Sequence, residues 1–425
     1  MNKRWPAGVA AFLGAWYGSE SLRHRREQRR HGYRMRGDEI DVASDGFLRA
    51  SEALTSSPST FGNAADLHIN GDEIFPAFVE TIRAAKRSVN LVTYIYWSGE
   101  IGEAMAGVLA DKANEGVEVN ILLDAVGSLR MSKELTEKME DAGACIVRFR
   151  PPKPYAIRRL NNRTHRKLLV ADGRVGLIGG VGIADQWTGD AQDPDHWRDT
   201  HLTVRGPVVR GLQGAFAENW LEATGDVLVG PDYLPELDPI DDGCAMQLVR
   251  SHAGVGDTNI EALYFLAISC ARERLDLTAA YFVPRPAFIQ ALTDAAERGV
   301  NVRVLVPGPY ADKPPVRDAG RGTYEDLLAA GVRIWEYQNT MIHAKTLAID
   351  GAWASVGSVN FDNRSFQLQD EATLTIRNES FVAKLDDQFE RDLANAEEIE
   401  LDRWKRRPIA QRALERTLTL ARREL

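Results

Sequence analysis

The sequence contains two copies of one spacing, in which a lysine follows a histidine by two positions and an aspartate follows that lysine by five. The copies are His165, Lys167 and Asp172, and then His343, Lys345 and Asp350. Side chains alternate faces along a strand, so an extended backbone directs each His–Lys pair to one side. The apolar residues after each lysine predict a buried strand, and the Asp-Gly dipeptide predicts the turn that ends it.

The surroundings of the two copies repeat in the same order. Helical and strand patterns alternate over residues 73–149 and again over 259–337, and a second apolar run follows each Asp-Gly turn. The separation between His165 and His343 gives the repeat the size of a domain rather than of a solenoid unit. A chain of 425 residues also exceeds what one core usually holds. The predicted architecture is therefore two similar α/β halves about a pseudo-twofold axis, with both His–Lys strands on a shared cleft.

The chain divides into four predicted segments. They are a basic N-terminal arm with a polar lead-in at 1–60, a first half at 61–235, a second half at 236–400 and a basic amphipathic helix at 401–425. Residues 381–399 predict an acidic helix at the end of the second half. The C-terminal helix either lies in a membrane interface or packs on the body with a solvated basic face.

Charge is distributed unevenly along the chain. Residues 1–37 carry nine Lys or Arg and two Glu, a local charge of +7, which leaves −16 for the remainder of a chain whose net charge is −9. An acidic body disfavours general nucleic-acid binding, whereas a basic arm suits an anionic membrane surface. The apolar run at 6–17 is shorter than the ~20 residues of a spanning helix. It predicts an interfacial anchor, with an unstructured tail or a signal peptide as alternatives.

Three cysteines at wide spacings indicate neither a disulfide framework nor a zinc site. Cys145, Cys244 and Cys270 are an odd number, and we interpret them as small buried side chains. His196 and His201, near Asp195 and Asp199, predict either a wall of the cleft or a metal cluster. Few cysteines agree with a cytosolic chain.

The paired motif suits chemistry on a phosphodiester. The negative charge of such a group repels nucleophiles, so catalysis requires fixed positive donors, a role that Lys167 and Lys345 fit. One imidazole can attack phosphorus while the other protonates the leaving oxygen and then activates the incoming alcohol. These residue types do not by themselves say which histidine has which role.

The motifs resemble those of the phospholipase D superfamily, whose signature is a duplicated H-x-K-x4-D. The resemblance extends to the bacterial cardiolipin synthases through five further segments. These are Thr93-Tyr94-Ile95-Tyr96-Trp97-Ser98-Gly99, Leu122-Leu123-Asp124-Ala125-Val126-Gly127-Ser128, Trp197-Arg198-Asp199-Thr200-His201, Tyr281-Phe282-Val283-Pro284 and Asn360-Phe361-Asp362-Asn363-Arg364-Ser365. The likeness covers about residues 70–410, and its flanked double motif is highly specific.

The resemblance implies an α/β/α sandwich in each half and a two-step exchange through a phosphohistidine, with retention at phosphorus and with neither metal nor cofactor. It implies His165 as nucleophile and His343 as general acid and base. Ser358 and Asn360 match the family's G-S-x-N segment, and Glu371 matches an acidic position that sets imidazole protonation. The first half departs from the pattern, because its segment Gly179-Gly180-Val181-Gly182 has glycine where an asparagine is usual; Gly180 and Gly182 are its candidate substrate-binding residues. Either backbone N–H groups substitute there, or the two phosphate-binding halves are unequal.

The implied function is that of a phosphatidyltransferase resembling a cardiolipin synthase, with phosphatidylglycerol as donor and a lipid hydroxyl as acceptor. The expected partners are phospholipids and an anionic membrane surface, bound peripherally on the cytoplasmic face. A hydrolase that uses water as acceptor and a nuclease of the same fold are the alternatives. Asp172 and Asp350 complete the catalytic motif. Because they end their strands, we expect them to orient the motif or the opposite histidine by hydrogen bonding rather than touch substrate. The basic residues Lys153, Arg158, Arg159 and Arg163 predict either a solvated loop or a funnel for phosphate headgroups.

Overall fold

The computed structural model describes residues 33–37, 39–152, 161–253 and 257–420. The predictions for the apolar run at 6–17 and for Lys153, Arg158 and Arg159 therefore lie outside the described residues. Within the described ranges, the helices before residue 244 are α1 (Asp45–Thr55), α2 (Asn70–Ala84), α3 (Glu100–Asn114), α4 (Lys133–Asp141) and α5 (Val209–Thr224). Those after residue 244 are α6 (Asn259–Cys270), α7 (Pro286–Glu297), α8 (Pro314–Arg321), α9 (Tyr324–Ala329), α10 (Asn363–Gln367), α11 (Glu379–Leu393), α12 (Leu401–Lys405) and α13 (Ile409–Leu420).

The strands fall into two sets with the same pairing. The first set is β1 (Ser59–Ile69), β2 (Ser88–Thr93), β3 (Glu118–Asp124), β4 (Cys145–Phe149), β5 (Arg163–Thr164), β6 (Leu168–Ala171), β7 (Val175–Gly179) and β8 (Thr200–Arg205). The second set is β9 (Cys244–Ser251), β10 (Arg274–Ala279), β11 (Asn301–Pro307), β12 (Arg333–Tyr337), β13 (Lys345–Ile349), β14 (Trp353–Gly357), β15 (Gln369–Arg377) and β16 (Ala396–Glu398).

The sheet order reveals the duplication. The first half runs β4-β3-β2-β6-β7-β8-β1, and the second half runs β12-β11-β10-β13-β14-β15-β9 in the equivalent places. In each half three strands are parallel and the motif strand joins them antiparallel, as in the pairings of β6 with β2 and of β13 with β10. The equivalent strands β1 and β9 pair antiparallel and link the two sheets. This arrangement confirms two similar halves of α/β architecture.

Apolar side chains fill both faces of the linked sheets. One cluster covers a face of the first half and another covers a face of the second. A third cluster joins the halves, because Phe216 and Trp220 of α5 share it with Phe381 and Leu385 of α11. Burial of such large apolar groups is the main force that holds the halves together.

Local signals define several helix starts. The Ser132 hydroxyl accepts from the backbone N–H of Leu135 at the start of α4, and Asn378 accepts from that of Phe381 at the start of α11. Both are standard N-cap contacts. α7 begins with Pro286, which suits the first turn because proline lacks the N–H that would be unpaired there. The predicted helices and strands of residues 73–149 and 259–337 agree with the observed ones to within a few residues.

Three segments differ from the sequence prediction. The polar lead-in contains α1 and the start of β1, and the ring of Phe47 in α1 packs edge-on against Trp353, 5.7 Å between centroids. The acidic helix ends at Leu393, because the chain then forms β16, which pairs with β12. Tertiary pairing outweighs the helical pattern there.

The C-terminal helix is divided and differently oriented. Pro408 separates α12 from α13, since proline interrupts helical hydrogen bonding. Leu414, an apolar residue of the predicted amphipathic helix, is 54% exposed, whereas Glu415 is 1% exposed. The Glu415 carboxylate lies 2.7 Å from Arg407 and 3.3 Å from Arg321 of α8. The helix thus packs on the body, the second of the two predicted arrangements. Across the described residues, none of the helices is both long and apolar enough to traverse a bilayer.

Asp172 and Asp350 occupy the ends of the motif strands opposite the histidines. Each adopts a left-handed backbone, with φ of 54° and 52°, which aspartate tolerates in turns. The Asp172 carboxylate accepts from the backbone N–H groups of Lys86, Arg87 and Ser88, at 2.7–3.1 Å. Asp350 accepts from the equivalent N–H groups of residues 272–274, each at 2.8 Å. Both aspartates therefore fasten the motif hairpin to the loop before β2 or β10.

Replacement of Asp172 should destabilise the protein in a graded way. Asp172→Ala leaves three N–H groups without their acceptor and should lower the free energy of unfolding by about 1–3 kcal/mol. Asp172→Asn keeps a neutral acceptor and the left-handed turn, so its loss should be smaller. Urea unfolding measures both, with Asp111→Ala on the exposed face of α3 as control. Loss of turnover in Asp172→Asn without loss of stability would contradict this structural role.

Candidate active site

The two motif histidines meet because each motif docks on the opposite half. The backbone N–H of His165 donates to the carbonyl of Asp370 at 2.8 Å, and that of His343 donates to the carbonyl of Arg198 at 2.7 Å. The adjoining residues extend this contact, since β5 pairs with the start of β15 and Arg198 bridges to Ile342. Neither histidine is held in place by its own half alone.

A carboxylate from the opposite half contacts each imidazole. His165 Nδ1 lies 3.0 Å from Glu371 Oε1, and His343 Nδ1 lies 2.8 Å from Asp199 Oδ2. An Nδ1–H that donates to a carboxylate leaves Nε2 as the basic nitrogen of a neutral ring. At His343 this nitrogen lies 3.2 Å from Lys345 Nζ. His165 Nδ1 also lies 3.1 Å from the carbonyl oxygen of Ser358. All of these groups are buried.

Both motif lysines lie beside their histidines. Lys167 Nζ donates to the backbone carbonyl of His165 at 2.9 Å, and Lys345 Nζ donates to that of His343. Burial, reinforced by the mutual repulsion of the two ammonium groups, lowers the pKa of Lys167 to about 7. Burial likewise lowers the pKa of Lys345 to about 8. Two buried cations without a full complement of anions form a site that attracts an anion.

The two carboxylates differ in their proton affinity. Burial raises the pKa of Glu371 to about 7, although Lys167 and two serine hydroxyls favour its anion. Burial also opposes ionisation of Asp199, but His343 and Lys345 outweigh that effect and hold the pKa of Asp199 below its ordinary value. Burial and Lys167 lower the pKa of His165, and burial and Lys345 lower that of His343 to about 3. Asp199 is thus an anion at neutral pH, whereas Glu371 is partly protonated.

The predicted G-S-x-N residues surround Glu371. The Ser358 hydroxyl donates to Glu371 Oε2, and the Ser365 hydroxyl donates to Oε1 at 2.6 Å. Asn360 donates its backbone N–H to the Ser365 hydroxyl at 3.0 Å, and its side-chain Oδ1 is buried without a hydrogen-bond partner. Buried amide oxygens are normally satisfied, so the Asn360 side chain is a candidate for ligand contact.

The first half has glycines at the matching places. Gly180 follows His165 at the same spacing as Ser358 follows His343, and both donate their N–H to a β8 or β15 carbonyl, at 3.1 and 3.0 Å. A Cβ on Gly180 would approach Asp199 Oδ1 to 2.2 Å, so the carboxylate of Asp199 requires glycine there. A Cβ on Gly182 would lie against the ring of Trp187.

The structure separates the predicted site residues into two groups. His165, Lys167, His343, Lys345, Ser358, Asn360 and Glu371 converge, with Gly180 and Gly182 beside them. Asp172 and Asp350, which the sequence analysis grouped with the catalytic residues, lie at the far ends of β6 and β13, where their carboxylates accept from backbone N–H groups. Their distance follows from strand geometry, since each residue advances the chain by ~3.3 Å. The prediction that they orient the opposite histidine is wrong, because Glu371 and Asp199 occupy that place.

Sequence reasoning missed Asp199, Ser365 and Trp187. The sequence analysis considered Asp199 only as part of a cleft wall or as a metal ligand. Asp199 immediately precedes β8, and Glu371 lies in the equivalent place, where the pairing of β15 with β9 begins. The available signal was an acidic residue at the start of the strand after each motif hairpin. Of the remaining residues, His196 pairs with Asp193 at 2.7 Å and His201 packs on Phe78. No set of three or more metal-ligating side chains is arranged to hold an ion in the part of the chain that the structure describes.

Arg163 is the described member of the predicted basic funnel. It is buried, lies 3.6 Å from Asp124 and donates to the carbonyl of Arg150 at 2.6 Å. It therefore braces the strand that leads to His165 and does not face solvent. Tyr94, by contrast, lies beside the motif histidine, with its ring 5.3 Å from that of His165.

Sequence comparison with known proteins identifies the family to which this chain belongs. The family described as "Cardiolipin synthase, PLD-like domain" matches residues 78–193 and 264–393. The cardiolipin synthase of Geobacillus sp. (strain WCH70) is 35% identical over 370 residues, which are 87% of this chain and 74% of that protein. Cardiolipin synthase 2 of Bacillus anthracis is 35% identical over 88% of this chain and 73% of its own length. This chain belongs to the cardiolipin synthase family of phospholipase D-like proteins.

Solved structures show the same fold at low sequence identity. Phosphatidylserine synthase from Haemophilus influenzae Rd KW20 superimposes with a TM-score of 0.64 over 90% of this chain and all of that chain, at 13% identity. Polyphosphate kinase from Porphyromonas gingivalis gives a TM-score of 0.55 over 92% of this chain and 57% of that chain, also at 13% identity. These two similarities concern the fold of the chain.

The raised pKa of Glu371 predicts a pH-dependent cost to stability. A carboxyl whose pKa rises from 4.5 to about 7 on folding contributes most below pH 4.5, and that contribution is lost as pH rises through 7. The thermal midpoint of Glu371→Gln relative to wild type should therefore increase between pH 5 and pH 8. Differential scanning calorimetry measures it, with Glu80→Gln on the exposed side of α2 as control. A difference that does not depend on pH would contradict the raised pKa.

Proposed function

We propose that this protein forms cardiolipin by transferring a phosphatidyl group from one phosphatidylglycerol to a hydroxyl of another, with release of glycerol. The observation that carries the proposal is a pair of imidazoles, each held by a carboxylate of the opposite half, beside two buried lysines. Family membership supports the transferase class, because the named relatives are cardiolipin synthases.

As the anionic phosphodiester binds, Nε2 of His343 takes up a proton from solvent, so this ring enters the reaction as an imidazolium beside ionised Asp199. In the first step, Nε2 of His165 attacks phosphorus. The bond from phosphorus to the glycerol oxygen breaks, and that oxygen takes the proton from Nε2 of His343. Lys167, Lys345 and the Asn360 amide bind the nonbridging oxygens, whose charge the lysines neutralise. In the second step, the acceptor hydroxyl gives its proton to His343 and attacks phosphorus, and the bond from phosphorus to His165 breaks. Protons and bonds balance, and both histidines return to their starting state.

The unequal carboxylates support this assignment of roles. An ionised Asp199 stabilises the imidazolium form of His343, which a general acid must reach. Glu371 is partly neutral and leaves His165 uncharged, which suits a nucleophile. Binding of an anionic phosphodiester between the lysines also reduces the repulsion that lowers both imidazole pKa values.

Product analysis with defined lipids tests the proposal. Purified protein and vesicles of phosphatidylglycerol should yield cardiolipin and glycerol, resolved by mass spectrometry. His165→Ala and His343→Ala should each reduce turnover by at least ~10²-fold, the scale of general acid–base assistance. Only His343→Ala should retain the phosphohistidine, because it lacks the base that activates the acceptor.

Two outcomes would redirect the proposal. Phosphatidic acid as the sole product would make the protein a hydrolase, with water in place of the lipid hydroxyl. Phosphohistidine in His165→Ala rather than in His343→Ala would reverse the two roles. An exposed-site control, His252→Ala, should leave turnover unchanged.

The proposed location is peripheral, on the anionic cytoplasmic face of the membrane. The edge of the sheet that carries the histidines also carries the loops after β3 and β11, as the strand registers Thr93–Leu123 and Thr278–Leu305 indicate. Leu129 in one loop is 73% exposed and Tyr310 in the other is 43% exposed. Exposed Arg130 and Lys313 accompany them. Apolar side chains beside cations at the entrance of a lipid site suit an anionic bilayer surface.

Vesicle sedimentation tests this orientation. Leu129→Asp with Tyr310→Asp should reduce binding to phosphatidylglycerol vesicles, while turnover of a short-chain, monomeric phosphatidylglycerol should persist. Val229→Asp, at an exposed position in the segment between α5 and β9, is the control. Unchanged sedimentation of the double variant would exclude these loops from the contact.

Deletion of residues 1–37 should weaken binding to the same vesicles most at low ionic strength, since screening removes the contribution of a basic arm at high salt.

A further inference from the structure

The two halves carry different residues at two matched positions near the histidines. Gly182 follows His165 at the same spacing as Asn360 follows His343, and Trp187 matches Ser365 in the same way. The local backbone is comparable, because Trp187 ends a 3-10 turn and Ser365 lies in the short helix α10, each just after the motif hairpin. The pair Asn360 and Ser365 is thus replaced by Gly182 and Trp187 in the first half.

Trp187 makes the hydrogen bond that Ser365 makes in the other half. Its indole N–H donates to Asp199 Oδ2 at 2.9 Å, and the same oxygen lies 2.8 Å from His343 Nδ1. Ser365 Oγ donates to Glu371 Oε1 at 2.6 Å, and that oxygen lies 3.0 Å from His165 Nδ1. Each donor therefore fixes the carboxylate oxygen that contacts the opposite histidine.

Gly182 provides the space for the larger indole. A Cβ placed on Gly182 would lie 3.2 Å from Cη2 and from Cζ3 of Trp187 and 3.0 Å from Cβ of Ile95. Trp187 is itself almost fully buried, so it cannot move into solvent to make room. An asparagine at position 182 would therefore crowd the tryptophan at position 187, and a neighbouring side chain would have to shift to admit it.

The exchange also changes the surroundings of His343. Its ring lies 5.2 Å from that of Trp187 and 5.6 Å from that of Trp197, and the two indoles contact each other edge-on at 4.6 Å. His165 has a serine-lined carboxylate in the equivalent place. The His343 side thus has two indoles, whereas the His165 side combines the ring of Tyr94, 5.3 Å away, with two serine hydroxyls on its carboxylate.

We infer that Trp187 and Gly182 form a coupled pair in which Trp187 is the positioning residue for Asp199 and His343, and its ring fills the volume that Asn360 occupies in the other half. It follows that the side-chain amide for the substrate phosphate comes from the second half alone. This last step rests on the proposed function, whereas the coupling and the positioning do not.

A double-variant cycle tests the coupling without any assay of turnover. Gly182→Asn should clash with Trp187, and Trp187→Ser should leave a cavity, so each should lower the thermal midpoint by roughly 5–10 °C. The protein with both changes recreates the Asn360–Ser365 pair and should lose clearly less than the two single losses added together. Additive losses, or a double variant that is worse than their sum, would overturn the coupling. Should Gly182→Asn fail to fold, recovery of folded protein in the double variant is the expected result, and no recovery is the contrary one.

A titration tests the positioning role. Trp187→Phe retains an aromatic ring but removes the N–H, which leaves the Asp199 oxygen more basic, so the pKa of His343 should rise by roughly half a unit or more. NMR of the imidazole C–H protons follows both histidines, and the pKa of His165 should not change. Ser365→Ala should have the reverse selectivity. Trp197→Phe is the matched control, because it alters an indole on the same side of His343. An unchanged His343 titration in Trp187→Phe would overturn the role.

Turnover separates this inference from the proposed function. If the wild type transfers phosphatidyl groups, Trp187→Phe should lower kcat with little change in KM, as expected for a residue that acts through His343. If the wild type does not act on phosphatidylglycerol, the proposed function fails, while the thermal and NMR results still decide the coupled pair.

Discussion

The cross-half contact between a carboxylate and an imidazole is the interaction on which the site depends. Asp199 of the first half orients His343 of the second, and Glu371 of the second half orients His165 of the first. The backbone follows the same rule, since the N–H of each histidine donates to the residue that precedes the opposite carboxylate. A separated half would present an imidazole with no carboxylate partner. The apolar cluster shared by α5 and α11 and the pairing of β1 with β9 are therefore requirements of the chemistry as well as of the fold.

Burial gives these groups their reactivity and makes the site costly to fold. Two ammonium groups and two carboxyls without contact with water lower the stability of the folded chain unless they compensate one another. The compensation is incomplete, because Lys167 and Lys345 keep a lowered pKa and Glu371 a raised one. An anionic substrate supplies the missing charge. The same charge imbalance that lowers stability thus favours binding of a phosphodiester. The hydrogen bonds of Asp172 and Asp350 to loop backbone stabilise the motif strands and offset part of that loss.

The sequence predicted the parts of the molecule that a strong local pattern determines. The repeated spacing located both motif strands, their Asp-Gly turns and their hairpin partners, because alternation and turn chemistry are local properties. It could not assign a role to Asp199, whose partner His343 is remote in the chain. For the same reason, α1 and β16 were missed. Their formation depends on packing against Trp353 and on pairing with β12, and their own residues carry little of that signal.

Duplication normally yields two equivalent sites, yet a two-step transfer needs one nucleophile and one acid. Equivalent surroundings would give both imidazoles the same proton affinity and leave the choice to the substrate. Here the first half contributes Asp199, whose pKa is held low and which accepts from the indole N–H of Trp187. The second half contributes Glu371, which accepts from two serine hydroxyls and whose pKa is raised by burial. The glycine at position 182 permits this difference without disturbing the shared backbone. The exchange of Asn360 and Ser365 for Gly182 and Trp187, together with that of Glu371 for Asp199, therefore gives two identical imidazoles different surroundings on one scaffold.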